Sequence, residues 1–272
     1  VDAGSNQTVC EGSTVSLSGS KSGAAIALST TWSGGSGTFG DPTSLNTNYI
    51  PSNTDIASGG VMLYLKTDDP AGPCPFVLDS VFITIDPLAL VDAGQDQDVC
   101  AGTLVYLGGV INGAAKTATW TGGTGIFFPN NQTLTAQYVP TQSEIDNGAV
   151  VTLTLTTDDP AGPCGSVSDQ VIITIRQAAK INAGIDTAVC SGKIVKFNAK
   201  KGGATTSTTW VGGAGNFSDP NILNPFYNPS ATELADGAVI KMAISTNDPA
   251  GPCPSVSDTM TFTLHALPNV YF

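Results

Sequence analysis

Histidine is almost absent from this chain: His265 stands alone among 272 residues. A repeated Ser-His-Asp or Cys-His centre cannot be built from one imidazole, and a zinc site would lack its nitrogen donors. His265 falls on an alternating stretch near the end of the chain and reads as an ordinary surface or boundary residue. Charge is scarce as well. Charged residues make up 12%, with Lys+Arg 10 against Asp+Glu 22 and a net charge of −12. A surface this poor in Lys and Arg argues against nucleic acid, whose phosphates need clustered positive charge. Excess carboxylate suits cations, and otherwise keeps a surface protein in solution. No apolar run reaches membrane-spanning length, no secretory leader opens the chain, and no long segment has a helical period.

What remains is rich in Gly, Thr, Ser and Val, a β composition with many turns. It is also repetitive. Thr67-Asp68-Asp69-Pro70-Ala71-Gly72-Pro73-Cys74 returns as Thr157 to Cys164 and, with one Asn, as Thr246-Asn247-Asp248-Pro249-Ala250-Gly251-Pro252-Cys253. An upstream cysteine accompanies each copy: Cys10, Cys100 and Cys190. Repetition overrides the length prior of about two domains and gives three modules: 1–90, 91–180 and 181–270. The chain starts on a module boundary and stops just past another, so we expect a piece of a longer secreted protein. Modules one and two carry most of the negative charge.

One cysteine pair per module, in register three times, predicts a disulfide within each and an oxidising compartment. Closing such a loop would stabilise a module by roughly 4 kcal/mol in the chain-entropy model. The second cysteine follows a proline-rich loop, so we expect it to tie the N-terminal strand to a loop at one end of the module.

Short alternating runs mark the strands. They include Thr14 to Ser18, a strand ending in Trp32, the run Val61 to Lys66, and Ser80 to Ile85, each with equivalents in the other modules. Trp32, Trp120 and Trp210 recur at one position and read as core anchors. Tyr49, Tyr138 and Tyr227, each two residues before a proline, read as corner residues that pack the ring and bond the hydroxyl to backbone. The Gly-Gly-x-Gly after each tryptophan is no phosphate loop, because no Lys-Ser/Thr and no helix pattern follow it. A short polar segment with an acid (Asp55, Glu144 or Glu233) and a closing glycine predicts one helical turn. Seven or so short strands, one tryptophan, one disulfide and a corner tyrosine per module predict an all-β chain. The modules would be three tandem immunoglobulin-like sandwiches, stiffened into a rod by linkers of about five residues.

No catalytic constellation is present, and we expect no enzyme. Adjacent aspartates at a strand end point to opposite faces, a poor start for acid–base work. Calcium is the sharper expectation for these acids. Asp2, Asp68 and Asp69, and in module two Asp92, Asp158 and Asp159, would converge at a module end with Asp79 nearby. Against it, Asp before proline commonly caps a turn, and module three has Asn182 and Asn247 at matching places. Lys193, Lys196, Lys200 and Lys201 cluster in module three, as a patch for acidic glycans or simply a solvated strand face. No cofactor is required by any of these readings.

Val-Asp-Ala-Gly-x-x-x-x-Val-Cys, Trp-x-Gly-Gly-x-Gly-x-Phe, Tyr-x-Pro and Asp-Pro-Ala-Gly-Pro-Cys together resemble the tandem PKD-like/Ig-like repeats of giant Bacteroidetes cell-surface adhesins. These are the gliding-motility type exported by type IX secretion, and the resemblance covers all three modules. It implies the shaft of an extracellular filament whose partners are neighbouring modules, surface polysaccharide or other cell-surface proteins. It also implies O-glycosylation at Asp-Ser/Thr followed by a small or aliphatic residue, which here falls on Ser80, Thr187 and Thr259. The sequons at Asn6, Asn131 and Asn216 are coincidental in this reading. Other classes remain open: a carbohydrate-binding array, which would need exposed aromatics on one face, or an accessory region of a secreted polysaccharide-degrading enzyme.

Overall fold

A computed structural model describes residues 1–69, 75–160, 162–235 and 237–267. The first unit runs β1 (Gln7–Cys10), β2 (Val15–Ser18), β3 (Thr30–Gly34), β4 (Thr38–Phe39), β5 (Asn46–Ile50), α1 (Asn53–Ala57), β6 (Gly60–Thr67) and β7 (Leu78–Asp86). The second runs β8 (Ala89–Asp92), β9 (Gln97–Cys100), β10 (Val105–Tyr106), β11 (Val110–Gly113), β12 (Ala118–Gly122), β13 (Ile126–Phe128), β14 (Gln137–Val139), α2 (Gln142–Asn147), β15 (Val150–Thr157) and β16 (Ser168–Arg176). The third repeats that order as β17 (Ala179–Asn182), β18 (Thr187–Cys190), β19 (Val195–Lys196), β20 (Lys200–Gly203), β21 (Thr208–Gly212), β22 (Asn216–Phe217), β23 (Phe226–Asn228), β24 (Ala238–Thr246) and β25 (Ser257–His265).

Each unit is an immunoglobulin-like sandwich of a four-stranded and a three-stranded sheet. In the first, β1-β7-β6-β3 faces β2-β5-β4; in the others β9-β16-β15-β12 and β18-β25-β24-β21 have the same order. Period-two alternation sends one side of each strand inward, as along β6, where Val61, Leu63, Leu65 and Thr67 are buried and the residues between them are not. The first cysteine-bearing strand lies parallel to the last strand of its unit, with Cys10 beside Asp86, Cys100 beside Arg176 and Cys190 beside His265. All other ladders are antiparallel. Three separate cores result, centred on Trp32, Trp120 and Trp210, each ring at most 2% exposed. The indole N–H of each donates to a backbone carbonyl, at Ser44, Leu134 and Leu223 respectively.

The disulfide expectation is corrected here. The structure pairs Cys10 with Cys164 and Cys100 with Cys253, joining successive units, and it leaves Cys190 unpaired and exposed. Cys74 lies outside the described residues. The reason is geometric. In the second unit Cys100 sits beside Arg176, at one end of β16, while Cys164 precedes Ser168, which starts that strand. Eight residue steps at about 3.3 Å put those ends roughly 26 Å apart, and a cystine needs its Cα atoms within about 7 Å. The two observed pairs have Cα separations of 5.4 and 4.9 Å.

Candidate functional site

The arrangement that sets this chain apart from three independent sandwiches is the junction between units. At the first junction β7 ends at Asp86, and only Pro87 and Leu88 separate it from β8. The Glu11 amide donates to the Asp86 carbonyl at 2.8 Å, fixing the turn after Cys10. From the second unit, the loop after β15 reaches back over this end. Gly162 lies so close to Asp86 that a Cβ there would collide with the carboxylate, and its φ of +125° is one that L side chains rarely adopt. The Cys164 sulfur sits 3.7 Å from the Asp86 carbonyl oxygen as it bonds to Cys10.

The second junction repeats the first. The Ala101 amide donates to the Arg176 carbonyl at 2.7 Å, and the Cys253 sulfur lies 3.5 Å from that carbonyl. The site for a Gly251 Cβ is 3.4 Å from Arg176 Cγ. Arg176 itself pairs with Asp98, its Nε 2.9 Å from Oδ1; the hydrogen bond and charge of Asp98 raise its pKa further. The linkers are held too. Leu88 and Ala178 accept from the Ala114 and Ala204 amides, and Gln177 Nε2 donates to the Asp146 carbonyl.

The reaching loop is stiffened at its base by side chains. Thr157 and Thr246, both buried, accept through Oγ1 from the Val167 and Val256 amides, as Thr67 does from Val77. Asp158 Oδ1 accepts from the Lys116 and Thr117 amides at 2.9 and 3.0 Å. Asn247 Oδ1 accepts from the Thr206 and Ser207 amides at 2.9 and 3.0 Å. The Asp/Asn exchange is thereby explained: the position needs an acceptor oxygen, which both provide, and no charge. Asp2, Asp92 and Asn182 form a parallel case, each accepting from the glycine amide two residues on.

Of the acids assigned to calcium, Asp2, Asp92 and Asp158 are engaged by these bonds. Among the described residues no group of three or more His, Cys, Asp or Glu is placed to hold a metal ion. Asp2, Asp68 and Asp69 are not brought together, and Asp158 and Asp159 share a cleft with Asp86 and Lys116 without forming such a group. Asp79, Asp169 and Asp258 each accept from a backbone amide, those of Ala3, Ala93 and Ala183.

A second repeated arrangement lies inside each sandwich. Tyr49, Tyr138 and Tyr227 are fully buried. Each hydroxyl accepts from a glycine amide (Gly37, Gly125, Gly215) and donates to a carboxylate: Asp55 at 2.7 Å, Glu144 at 2.8 Å, Glu233 at 2.8 Å. The same carboxylates cap a short helical turn, taking the amides of Ser52, Thr141 and Ser230, and tie down the glycine loop through the amides of Ser36, Thr124 and Ala214. Burial raises each tyrosine to about 12, helped by the adjacent carboxylate. Burial works to raise the carboxyls too, but the converging hydrogen bonds outweigh it and hold all three below their usual values. Sequence reasoning noticed these acids and missed their work. The available signal was the capping box: Ser52-x-x-Asp55, Thr141-x-x-Glu144, Ser230-x-x-Glu233. The Gly-Gly-x-Gly pattern follows from the same node, since a Cβ on Gly35, Gly123 or Gly213 would strike the tyrosine hydroxyl.

No family model matches the chain, and no curated protein does. Solved structures with similar arrangements exist. Domains EC1-3 of protocadherin gamma C5 align over 96% of this chain and 99% of theirs, at 13% identity and TM-score 0.45. The insect immune protein hemolin aligns over 97% of this chain and 74% of its own, at 12% identity and TM-score 0.44. Immunoglobulin domains 1-5 of Sidekick-1 align over 97% and 58%, at 12% identity and TM-score 0.38. Likeness at this level carries no argument about what the chain does.

Of the remaining sequence candidates, Thr187, Lys196 and Lys200 line one cleft of the third unit. Ser80, Thr187 and Thr259 are exposed, as are Lys193, Lys196, Lys200, Lys201 and His265. The repeated tryptophans and tyrosines are buried and so form no exposed aromatic face. Among the described residues no helix is long and apolar enough to cross a membrane.

Proposed function

We propose that this chain is a shaft segment of a large extracellular adhesin or filament, built from modules 1–90, 91–180 and 181–270 and serving bacterial surface attachment or gliding motility. It is not an enzyme in this reading. One observation carries the proposal: each junction is closed twice, by a two-residue peptide link and by a cystine between units. Two attachment points leave far less freedom to bend than one. A cystine closing a loop of about 150 residues contributes roughly 5 kcal/mol in the chain-entropy model, so the brace also stabilises. Such bonds persist outside the reducing cytosol, which supports an extracellular surface location. Exposed Ser80, Thr187 and Thr259 would be free to carry O-glycans, and the partners would be neighbouring modules and surface polysaccharide or proteins.

Negative-stain imaging of the oxidised and reduced chain tests this. We expect one narrow distribution of end-to-end distance when oxidised and a broader one after reduction. A broad distribution in the oxidised chain would remove the shaft reading. Specific binding on a glycan array would favour a carbohydrate-binding role instead.

A further inference from the structure

Along one side of each sandwich the edge strand of one sheet faces the edge strand of the other: β1 and β2, β9 and β10, β18 and β19. In the first two units a glutamine spans this gap. Gln7 Nε2 donates to the Ser16 carbonyl at 3.0 Å, and Gln97 Nε2 to the Tyr106 carbonyl at 2.8 Å. Register fixes the matching residue of the third unit as Thr187: Gln7 lies beside Ile83, Gln97 beside Ile173 and Thr187 beside Phe262. A hydroxyl on Cβ lacks the reach of an amide on Cδ. A cleft of about 500 Å³ opens here, lined by Asn182, Ile185, Thr187, Lys196, Asn198 and Lys200.

The charge of the gap changes sign with its shape. Asp2 lies opposite Ser20 and Asp92 opposite Val110, but Asn182 lies opposite Lys200. The residue after Val15, Val105 and Val195, each paired with its node tyrosine, is Ser16, then Tyr106, then Lys196. One acid and no base at these three places become no acid and two bases. Lys196, Asn198 and Lys200 are exposed and alternate with buried Val195, Phe197 and Ala199, so all three project from one side. The acids bordering the cleft, Asp186 and Asp258, are engaged by the Thr261 and Ala183 amides.

We propose that this cleft binds an acidic polysaccharide, holding a sugar carboxylate or sulfate through Lys196 and Lys200. The two ammonium groups supply charge-assisted donors for the anion. The Thr187 hydroxyl and the Asn198 amide both donate and accept, as sugar hydroxyls require. Asn182 has its Oδ1 taken by the Gly184 amide and keeps its two N–H donors. These hydroxyl-matching groups beside the cations favour a sugar over an acidic peptide. The proposal rests on the shaft reading, which takes surface polysaccharide as a partner, and names that partner's chemistry. A carbohydrate-binding array would repeat its site in every unit, whereas the first two units span this gap with glutamine.

The test is calorimetric titration of the intact chain with polygalacturonate oligomers, dextran sulfate, neutral dextran and polyglutamate. We expect one site per chain for an anionic glycan, and the better of the first two ligands tells carboxylate from sulfate. K196A/K200A should weaken binding about tenfold or more, the worth of one charge-assisted hydrogen bond. T187Q restores the glutamine of the other units and should weaken it as much with no change of charge. K193A/K201A, an equal loss of charge outside the cleft, should stay within about twofold of wild type. Melting temperatures check that each variant is folded. No binding, equal binding of polyglutamate or neutral dextran, or a T187Q chain that binds like wild type would overturn the proposal. So would an intact mass showing a glycan on Thr187, which would fill the cleft. Imaging of stiffness tests the shaft separately, so either reading can fail alone.

Discussion

Cys100 and Cys164, the two cysteines of the second unit, leave it in opposite directions: Cys100 is bonded to Cys253 of the unit ahead and Cys164 to Cys10 of the unit behind. The bonds overlap along the chain, so the stretch from Cys100 to Cys164 lies within both covalent loops.

That overlap makes a mechanical prediction. Pulled from its termini, the oxidised chain has a short covalent path: from Val1 to Cys10, across to Cys164, back to Cys100, across to Cys253 and onward. Its fully unfolded extension should be roughly a third of that of the reduced chain, in proportion to the residues along the path. Single-molecule force spectroscopy with and without reductant measures this directly. Equal extensions would mean that the bonds do not join these partners.

Replacing Cys10 and Cys164 together by serine should lower stability by up to about 5 kcal/mol, the chain-entropy value for a loop of this length. It should also separate the melting of the first unit from that of the other two. Calorimetry would register a second, lower transition. An unchanged single transition would show that the units are coupled through something else.

The tyrosine nodes predict a stability profile with two edges. The carboxyls of Asp55, Glu144 and Glu233 are depressed in the folded chain. Their contribution is therefore present above their ordinary values of 3.8 and 4.5 and is lost as pH falls through the lower, folded values. The tyrosines are raised from 10 to about 12, so their contribution is full below pH 10 and disappears as pH rises toward 12. Y138F should cost about 1–3 kcal/mol, because it leaves the Gly125 amide and Glu144 short of a partner. It should also weaken the alkaline edge. Urea titrations across pH check both; an edge identical in wild type and Y138F would exclude the node as its source.

Asp158 acts as an acceptor rather than as a charge. D158N should therefore be within about 0.5 kcal/mol of wild type, as should N247D, while D158A should cost about 1–3 kcal/mol through two orphaned amides. Calcium should shift the melting temperature no more than magnesium at equal ionic strength. A calcium-specific rise that D158N abolishes would restore the cation reading.

W120A should cost about 3–5 kcal/mol, the usual range for deleting a large buried ring. Hydrogen exchange should report the loss in the second unit first.

The sandwich was legible because its signals are local. Alternation along β6 and β15 and a single tryptophan per repeat are properties of a few neighbouring residues. The cysteine pairing was not legible, because a regular spacing says nothing about which end of a strand each thiol occupies. Placing Cys100 requires the parallel register of β9 on β16, a pairing between residues 76 apart in sequence. The acids were visible, yet a carboxylate that ends a loop with hydrogen bonds and one that binds a cation look alike until their neighbours are known.

The parallel pairing of β1 with β7 has one more consequence. With the Cys10–Cys164 bond reduced, tension enters the first unit at the start of β1 and leaves at the end of β7, so the strands are drawn lengthwise past each other. The bonds from Gln7–Cys10 to Ile83–Asp86 then bear the load together, in shear, and must break as a group instead of unzipping one at a time.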